Sequence, residues 1–463
     1  MRILLVSTYE LGHQPLHVAS PAAALLAAGH DVRALDLAVQ PWDDDALAWA
    51  DALAFSVPMH TAMRLATQAA AAVRAARPDV PICFYGLYAT VGRDHTVGAV
   101  VDRVIAGEYE PALVEWAGGI GGGEIFLATT RFKRPARHLL PGLEHYARLV
   151  TGDEERLAGY VEASHGCIHR CRHCPVPVVY DGRIRVVDVD TVVDDVAQLV
   201  AMGARHVTFG DPDFLNGAHH SRRVVGAVHD RFPDLTFDCT AKVEHILNHE
   251  DVWAEWGEAG CIFVVSAFET VNDDILERLD KGHTVDDASR AVHLLRSHGI
   301  EVRPSWLPFT PWTTLDDVAA LFDFVATHDL VGNVDPVQYA IRLLLPEGSL
   351  LLDHPDLAPL LGGYDADALS YRWRAADPAV DALQEELAET VERGTDDAHD
   401  IPMLFTQLRQ QVHAAAGRPQ PEPVHATLPV PRLSEAWFCC AEPTARQRAP
   451  LPLMVLAQAE ATD

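Results

Sequence analysis

Tyr160-Val-Glu-Ala-Ser-His-Gly-Cys167-Ile-His-Arg-Cys171-Arg-His-Cys174-Pro175 runs from a strand-like segment, residues 160–163, straight into three cysteines within eight residues. The spacing is C-x3-C-x2-C. Three thiolates on one tight loop can ligate three irons of a cubane cluster and leave the fourth iron open to a small molecule. A zinc site more usually takes four protein ligands from C-x2-C pairs. His165, His169 and His173 lie close enough in sequence to complete such a set. Three unrelated cysteines on a loop are the plainest alternative. The clustering, directly after a strand, favours iron–sulfur.

Towards the C-terminus, strand and helix signals alternate. Residues 188–202, 218–231 and 286–298 have helical character, the last stopped by Gly299. Residues 205–209, 236–239, 261–267, 301–307 and 335–345 read as strands. With residues 160–163 they make six strands between helices, which predicts a full or partial α/β barrel over residues 159–360. Residues 361–425 read as a helical C-terminal region, ending in the linker-like Arg418-Pro-Gln-Pro-Glu-Pro423. An extended tail, residues 426–463, carries Cys439 and Cys440.

Towards the N-terminus a second βα rhythm occupies residues 1–118. Residues 3–7, 32–37, 50–56, 81–85 and 101–105 read as strands, and 19–29, 62–76 and 110–116 as helices. This predicts a Rossmann-like, doubly wound parallel sheet whose ligand edge lies at the carboxyl ends of its strands. Gly118-Gly-Ile-Gly-Gly-Gly123 marks a boundary. Residues 119–158 then read as a linker carrying a short basic patch, residues 131–137.

The chain has 463 residues, 49% hydrophobic and 22% charged, enough for sizeable cores and unlike a disordered chain. Its net charge is −30, a field that repels phosphate backbones, so nucleic acid is not an expected partner. No apolar run is long enough for a membrane span, and the first residues read as a buried strand rather than a signal peptide. The expectation is a cytoplasmic protein with no membrane partner. The other cysteines, Cys83, Cys239 and Cys261, sit in or at the ends of strand-like runs.

The cysteine loop after a first barrel strand resembles the signature of the radical S-adenosylmethionine (SAM) superfamily. The resemblance implies that Cys167, Cys171 and Cys174 hold a 4Fe–4S cluster and that SAM chelates the open iron. An electron from the cluster then cleaves the sulfonium, and the cofactors carry the difficult chemistry. His173 takes the family's usually aromatic position near the adenine. Phe209-Gly-Asp-Pro-Asp-Phe-Leu-Asn216 resembles the segment that meets the SAM amino group. Gly210, Asp211 and Asp213 are therefore candidate cofactor contacts, with helix capping as the structural alternative for each Asp. Phe268-Glu-Thr-Val-Asn-Asp-Asp-Ile-Leu276 and Lys281-Gly-His-Thr284 resemble a later family segment and place Glu269 near SAM, or in a strand-end salt bridge. Thr313 or Thr314 could simply cap a helix. Lys242 could face the pocket, and Arg342, on the strand expected at 335–345, could bind a carboxylate.

The N-terminal sheet is similar to the cobalamin-binding domain fused to many superfamily members. Gly86 and Gly107 fall at its later turns, where small residues would admit a corrin or nucleotide tail. The Asp-x-His-x-x-Gly loop of some cobalamin proteins is absent. His13, in Tyr9-Glu-Leu-Gly-His-Gln-Pro15, sits near its position without the aspartate. Cobalamin and a domain kept for packing or substrate binding both remain open. The tail string Cys439-Cys-Ala-Glu-Pro443 resembles the CUAEP/CCAEP-tail radical SAM proteins, and Cys439 and Cys440 are candidate catalytic thiols that could present a thiophilic atom.

Together these features point to a transferase-type radical SAM enzyme acting on a small molecule or metalloid. Its expected reductant is of the flavodoxin or ferredoxin kind. One route is radical methylation or C–X bond formation. A second is transfer of a SAM-derived group to arsenic, selenium or sulfur held by the tail pair. A non-catalytic metal or metalloid sensor is the rival of a different class.

Overall fold

The computed structural model describes residues 1–396, 400–424 and 430–435. Cys439 and Cys440 lie outside them. Six parallel strands form the first sheet: β1 (Arg2–Ser7), β2 (Asp31–Asp36), β3 (Ala52–Ser56), β4 (Ile82–Tyr85), β5 (Arg103–Gly107) and β6 (Ile125–Phe126). Their order is β2-β1-β3-β4-β5-β6. The order reverses between β1 and β3, and ligands of such sheets bind in the crevice beyond the carboxyl ends at that point. β1 and β3 are almost continuous buried apolar runs, as strands covered on both faces require. The helix His60–Ala76 lays Met63, Ala66, Ala70 and Val73 on this sheet's core, at helical spacing.

The second sheet contains β7 (Arg148–Thr151), β8 (Glu154–Val161), β11 (His206–Phe209), β12 (Thr236–Thr240), β13 (Cys261–Glu269), β14 (Glu301–Trp306) and β17 (Arg432–Leu433). Its order is β14-β13-β12-β11-β8-β7-β17. The five strands from β8 to β14 run parallel, whereas β7 and β17 are antiparallel additions at the β8 edge. The result is an open half-barrel. Helices Val189–Ala201, Ala218–Arg231, Val285–Ser297 and Leu315–Thr327 share one apolar core with it. Thr284 with Asp287, and Thr314 with Asp317, form capping boxes that start the last two helices. A small hairpin of β9 (Ser164–Gly166) and β10 (Ile184–Val186) brackets the cysteine loop. Among the described residues no helix is long and apolar enough to cross a membrane.

Three expectations are corrected. Residues 119–158 are not a linker: they supply β6 to the first sheet and β7 with the start of β8 to the second. Residues 335–345 do not form a strand. Pro336–Ala340 is a 3-10 turn, and Gln338 Oε1 accepts from Trp306 N at 3.0 Å, so a side chain occupies part of the β14 edge. Arg342 pairs with Asp381 at 2.6 Å. Residues 361–425 are not wholly helical, because β15 (Leu361–Asp365) and β16 (Ser370–Trp373) form a hairpin before the helices Pro378–Asp396 and Ile401–Ala415.

A buried ion pair staples the two sheets. Arg137, the last residue of the basic patch, meets Asp195 at 2.7 Å, with both side chains almost fully buried. The same guanidinium donates to Tyr160 O at 2.6 Å and to Gln14 O at 3.3 Å.

Candidate active site between the two sheets

The carboxyl ends of both sheets face one cleft of about 1510 Å³, solvent mouth included. Leu11, His13, Pro58, Met59, Leu87 and Tyr88 line it from the first sheet. Cys167, Cys171, Cys174, Lys242, Glu269 and Lys281 line it from the second. Cys167 and Cys171 are buried and Cys174 half-buried. Cys174 N donates to Cys171 O at 3.1 Å, turning the loop so that all three thiols reach the cleft. Burial, with the Asp213 charge nearby, pushes the Cys167 thiol up to about 12. Burial also raises Cys171, while Lys281 and Lys242 oppose it. Metal ligation needs thiolates, so these cations favour the ligating form.

Glu269 is the structure's answer to the charge on Lys281. Its carboxylate accepts from Lys281 Nζ at 2.9 Å and lies 3.1 Å from His173 Nε2. Burial alone would raise Glu269, but Lys281 and His173 outweigh it and hold the carboxylate well below its usual range. Glu269 also has a left-handed φ of 65° where the β13–β14 register shifts. That shift turns its side chain into the cleft.

Asp211 accepts from Ala163 N at 2.9 Å and Ser164 Oγ at 2.6 Å, fixing the backbone that leads into the cysteine loop. Burial pushes it up to about 7. Asp213 does not line the cleft. It closes a turn through Leu215 N at 3.0 Å and lies 2.8 Å from His245 Nδ1. Neither Asp caps the helix Ala218–Arg231, which starts at Gly217. Gly210 is demanded by its neighbour: a Cβ there would overlap the Tyr160 ring. Gly86 and Gly107 also have internal reasons, since a Cβ would press on the Val57 backbone in one case and on Phe126 O in the other.

The histidines of the loop each have a neighbour of their own. His165 lies 3.2 Å from Glu108 and 3.2 Å from Glu162. His173 faces Glu269, and His169 Nε2 lies 3.1 Å from His245 Nε2. Each of the three is engaged by a different neighbour, and His173, the one of them that lines the cleft, faces Glu269 beside the three cysteines. His169, Asp213 and His245 themselves gather within ligating range of one another beside the loop.

One feature was invisible in the sequence. Glu10, His17, Glu108, Glu162 and His165 form a buried network where the sheets meet, and all of them but Glu108 line a second cavity with Tyr109 and Tyr180. Burial would push His17 down, but Glu162 and Glu10 hold it up at about 9. Burial lifts Glu10 to about 7. Tyr180 OH donates to Glu108 at 3.0 Å. These residues are scattered over more than 150 positions, and no local motif marks them. His13, buried against the Tyr160 ring, is pushed down to about 4 by burial and is neutral at pH 7.

A buried three-thiol loop at the mouth of a parallel half-barrel, opposite the ligand edge of a doubly wound sheet, defines a two-domain cofactor protein. The comparisons give the same division: residues 161–325 match the radical SAM superfamily model, and residues 2–117 match the B12 binding domain. The chain therefore carries a radical SAM domain behind an N-terminal B12-binding domain. These domains imply a 4Fe–4S cluster, SAM and cobalamin. The residues present fit them: three convergent thiols beside a buried cation for the cluster, and an apolar-walled crevice at the β1/β3 reversal, with a neutral His13, for the corrin.

A "Putative methylthiotransferase" of Methanocaldococcus jannaschii is 26% identical over 258 residues, covering 50% of this chain and 54% of the relative. An "Uncharacterized methyltransferase" of Pyrococcus horikoshii is 24% identical over 189 residues, covering 41% and 40%. The chain thus spans about half the length of the curated relatives it matches. In fold, it resembles the cobalamin-dependent SAM radical enzyme OxsB with aqua-cobalamin and SAM bound. The TM-score is 0.66 at 13% identity, over 85% of this chain and 67% of that one. It also resembles the radical SAM methyltransferase TsrM from Kitasatospora setae, with a TM-score of 0.53 at 20% identity, over 71% of each chain.

Proposed function

We propose that this protein is a transferase-type radical SAM enzyme that methylates a small molecule or otherwise forms a C–X bond on it. The observation that carries the reading is the shared cleft. The three cysteines and the ligand edge of the B12-binding domain open into one space, so a group held by one domain meets a group held by the other without crossing solvent. The bound cluster supplies the electron that cleaves SAM, and cobalamin supplies a methyl carrier. The chain's own residues position and shield. Asp211 anchors the strand end that feeds the cysteine loop. Lys281, neutralised by Glu269, sets a cation beside Cys171. His13 keeps an uncharged wall on the corrin side. The net charge of −30 favours a small molecule over nucleic acid as substrate.

The test is reduction of the anaerobically reconstituted protein with SAM, followed by mass analysis. Formation of 5′-deoxyadenosine or S-adenosylhomocysteine, lost in Cys171→Ala, supports the reading. An intact cluster with no SAM turnover under strong reduction, with candidate substrates present, favours the sensor instead.

A second reading has one specific support. Leu433 lines the cleft, and Tyr9 OH donates to Glu435 Oε1 at 2.8 Å. Cys439 and Cys440 follow within five residues, about 17 Å of chain at most. They are then candidate thiols that present arsenic, selenium or sulfur to a SAM-derived group. Methylthioadenosine as product, with arsenite protecting this pair from alkylation, would make this reading the leader.

A further inference from the structure

We propose that His169, Asp213 and His245 form a binding site for a divalent ion of the zinc type, which ties the cysteine loop to the body of the second domain. No cysteine enters the site, so the proposal stands independently of the cluster reading.

The three side chains come from connections that leave three adjacent strands of the second sheet. His169 lies in the cysteine loop beyond β8, Asp213 in the turn after β11, and His245 on the helix Val243–Asn248 after β12. One ligand atom from each lies within 4.8 Å of the other two. His169 Nε2 and His245 Nε2 are 3.1 Å apart, with the rings tilted by 58°. Two imidazole nitrogens this close oppose their lone pairs unless a proton or a cation lies between them. Ligand atoms at zinc distances in a tetrahedral site are about 3.4 Å apart, so the pair is already near that spacing.

Asp213 supplies the second observation. Its side chain is wholly buried, and among the described residues no Lys or Arg side chain pairs with it. Oδ1 accepts from Leu215 N at 3.0 Å, and Oδ2 accepts from Lys242 N at 3.4 Å. Oδ2 also lies 2.8 Å from His245 Nδ1, but off the direction of a ring N–H, so this buried nitrogen has no hydrogen-bond partner. A buried carboxylate is compensated by a cation or coordinates a metal. Here the carboxylate and the ring nitrogen sit side by side, as two ligands of one ion do, rather than as donor and acceptor.

The neighbouring charges leave the site available. Lys242 Nζ pairs with Glu244 at 3.3 Å, which balances the nearest cation. Glu244 also lies 3.7 Å from His169 Nδ1, the ring nitrogen that does not face His245. A carboxylate behind a ligating histidine is the usual outer partner in metal sites. His169 is half-buried while Asp213 and His245 are buried, so the ion enters from the His169 side. Two imidazoles and one carboxylate suit zinc, which such sites hold more tightly than ferrous iron, and a water can take the fourth position. His169 stands between Cys167 and Cys171, whose side chains line the cleft. An ion shared with Asp213 and His245 therefore fixes the loop from behind.

The test uses the full chain reconstituted with iron and sulfide, stripped on a chelating resin, titrated with zinc and desalted before metal analysis. One zinc per chain is expected in addition to the iron. Losing an outer partner alone costs about 10–100-fold in affinity, so His169→Gln and Asp213→Asn should each weaken zinc binding about 100-fold or more. Zinc should raise the melting temperature of wild type and leave that of His169→Gln unchanged. His169→Gln alters only a half-buried side chain, and an unchanged circular dichroism spectrum keeps that comparison valid if Asp213→Asn fails to fold. Cys167→Ala/Cys171→Ala/Cys174→Ala should keep its zinc. No zinc retained by wild type overturns the site and leaves an Asp–His–His hydrogen-bond chain. Zinc retained in His169→Gln and Asp213→Asn but lost from the cysteine variant places the ion on the thiols. That result overturns the site and, separately, counts against the cluster reading.

Discussion

Lys281 Nζ lies 2.9 Å from Glu269 Oε1, and both side chains are buried at the wall of the cleft beside Cys171. A buried pair of this kind contributes modestly as a whole, but breaking it strands a charge, at a cost of about 3–5 kcal/mol. Lys281→Met should therefore lower the unfolding free energy of the second domain by about that amount. Lys281→Met/Glu269→Gln should recover much of it. Denaturant unfolding of the two variants measures the coupling, and simple additivity would show that the pair does not act as a unit.

The network at the sheet junction sets a pH dependence. His17 is raised to about 9, so it contributes stability below its unfolded value of about 6.5, lost as pH rises through 9. Glu10, raised to about 7, acts in the same direction at lower pH, because the fold favours its protonated form. Glu162 is depressed by His17 and His165 against the effect of burial, and its contribution is lost only in acid. Thermal stability should thus decline between pH 6.5 and 9, and His17→Gln should flatten that limb. A wild-type profile that rises over this window contradicts the assignment.

The staple between the sheets is directly testable. Arg137→Met leaves Asp195 buried without its partner and frees the Gln14 and Tyr160 carbonyls. A loss of about 3–5 kcal/mol is expected, with earlier proteolysis between the two domains. Unchanged urea unfolding would reduce the pair to a bystander.

Gly210→Ala should be costly for a reason unrelated to any ligand. The new methyl would overlap the Tyr160 ring, whose hydroxyl donates to Glu162 at 2.8 Å. Overpacking of this kind costs about 1–3 kcal/mol. Gly210→Ala should cost clearly less in a Tyr160→Ala background than in wild type, as melting temperatures of the two single variants and the double variant would show.

Several of these features were legible before any coordinates. The parallel strands are short, nearly continuous apolar runs, and such runs announce buried strands. The cysteine loop carried its chemistry in its spacing. Residues 335–345 misled because Val337, Tyr339, Ile341 and Leu343 alternate as a strand would. In the fold Tyr339 instead stacks on Phe322 at 4.7 Å, and the Gln338 side chain takes the β14 hydrogen bond. The glycine run 118–123 suggested a boundary because β6, two residues long, has no periodicity to detect. The charged network was beyond reach for a different reason. Glu10, Glu108 and Glu162 come together only when two sheets close on each other.

The central claim is one cleft serving a three-cysteine cluster and a corrin. Its most direct measurement is metal content after anaerobic reconstitution with iron, sulfide and hydroxocobalamin, in wild type and in Cys171→Ala. The expected result is about four irons and one cobalt per wild-type chain, with the variant losing iron while keeping cobalt. Zinc in place of iron, or a chain that never retains the corrin, would contradict it.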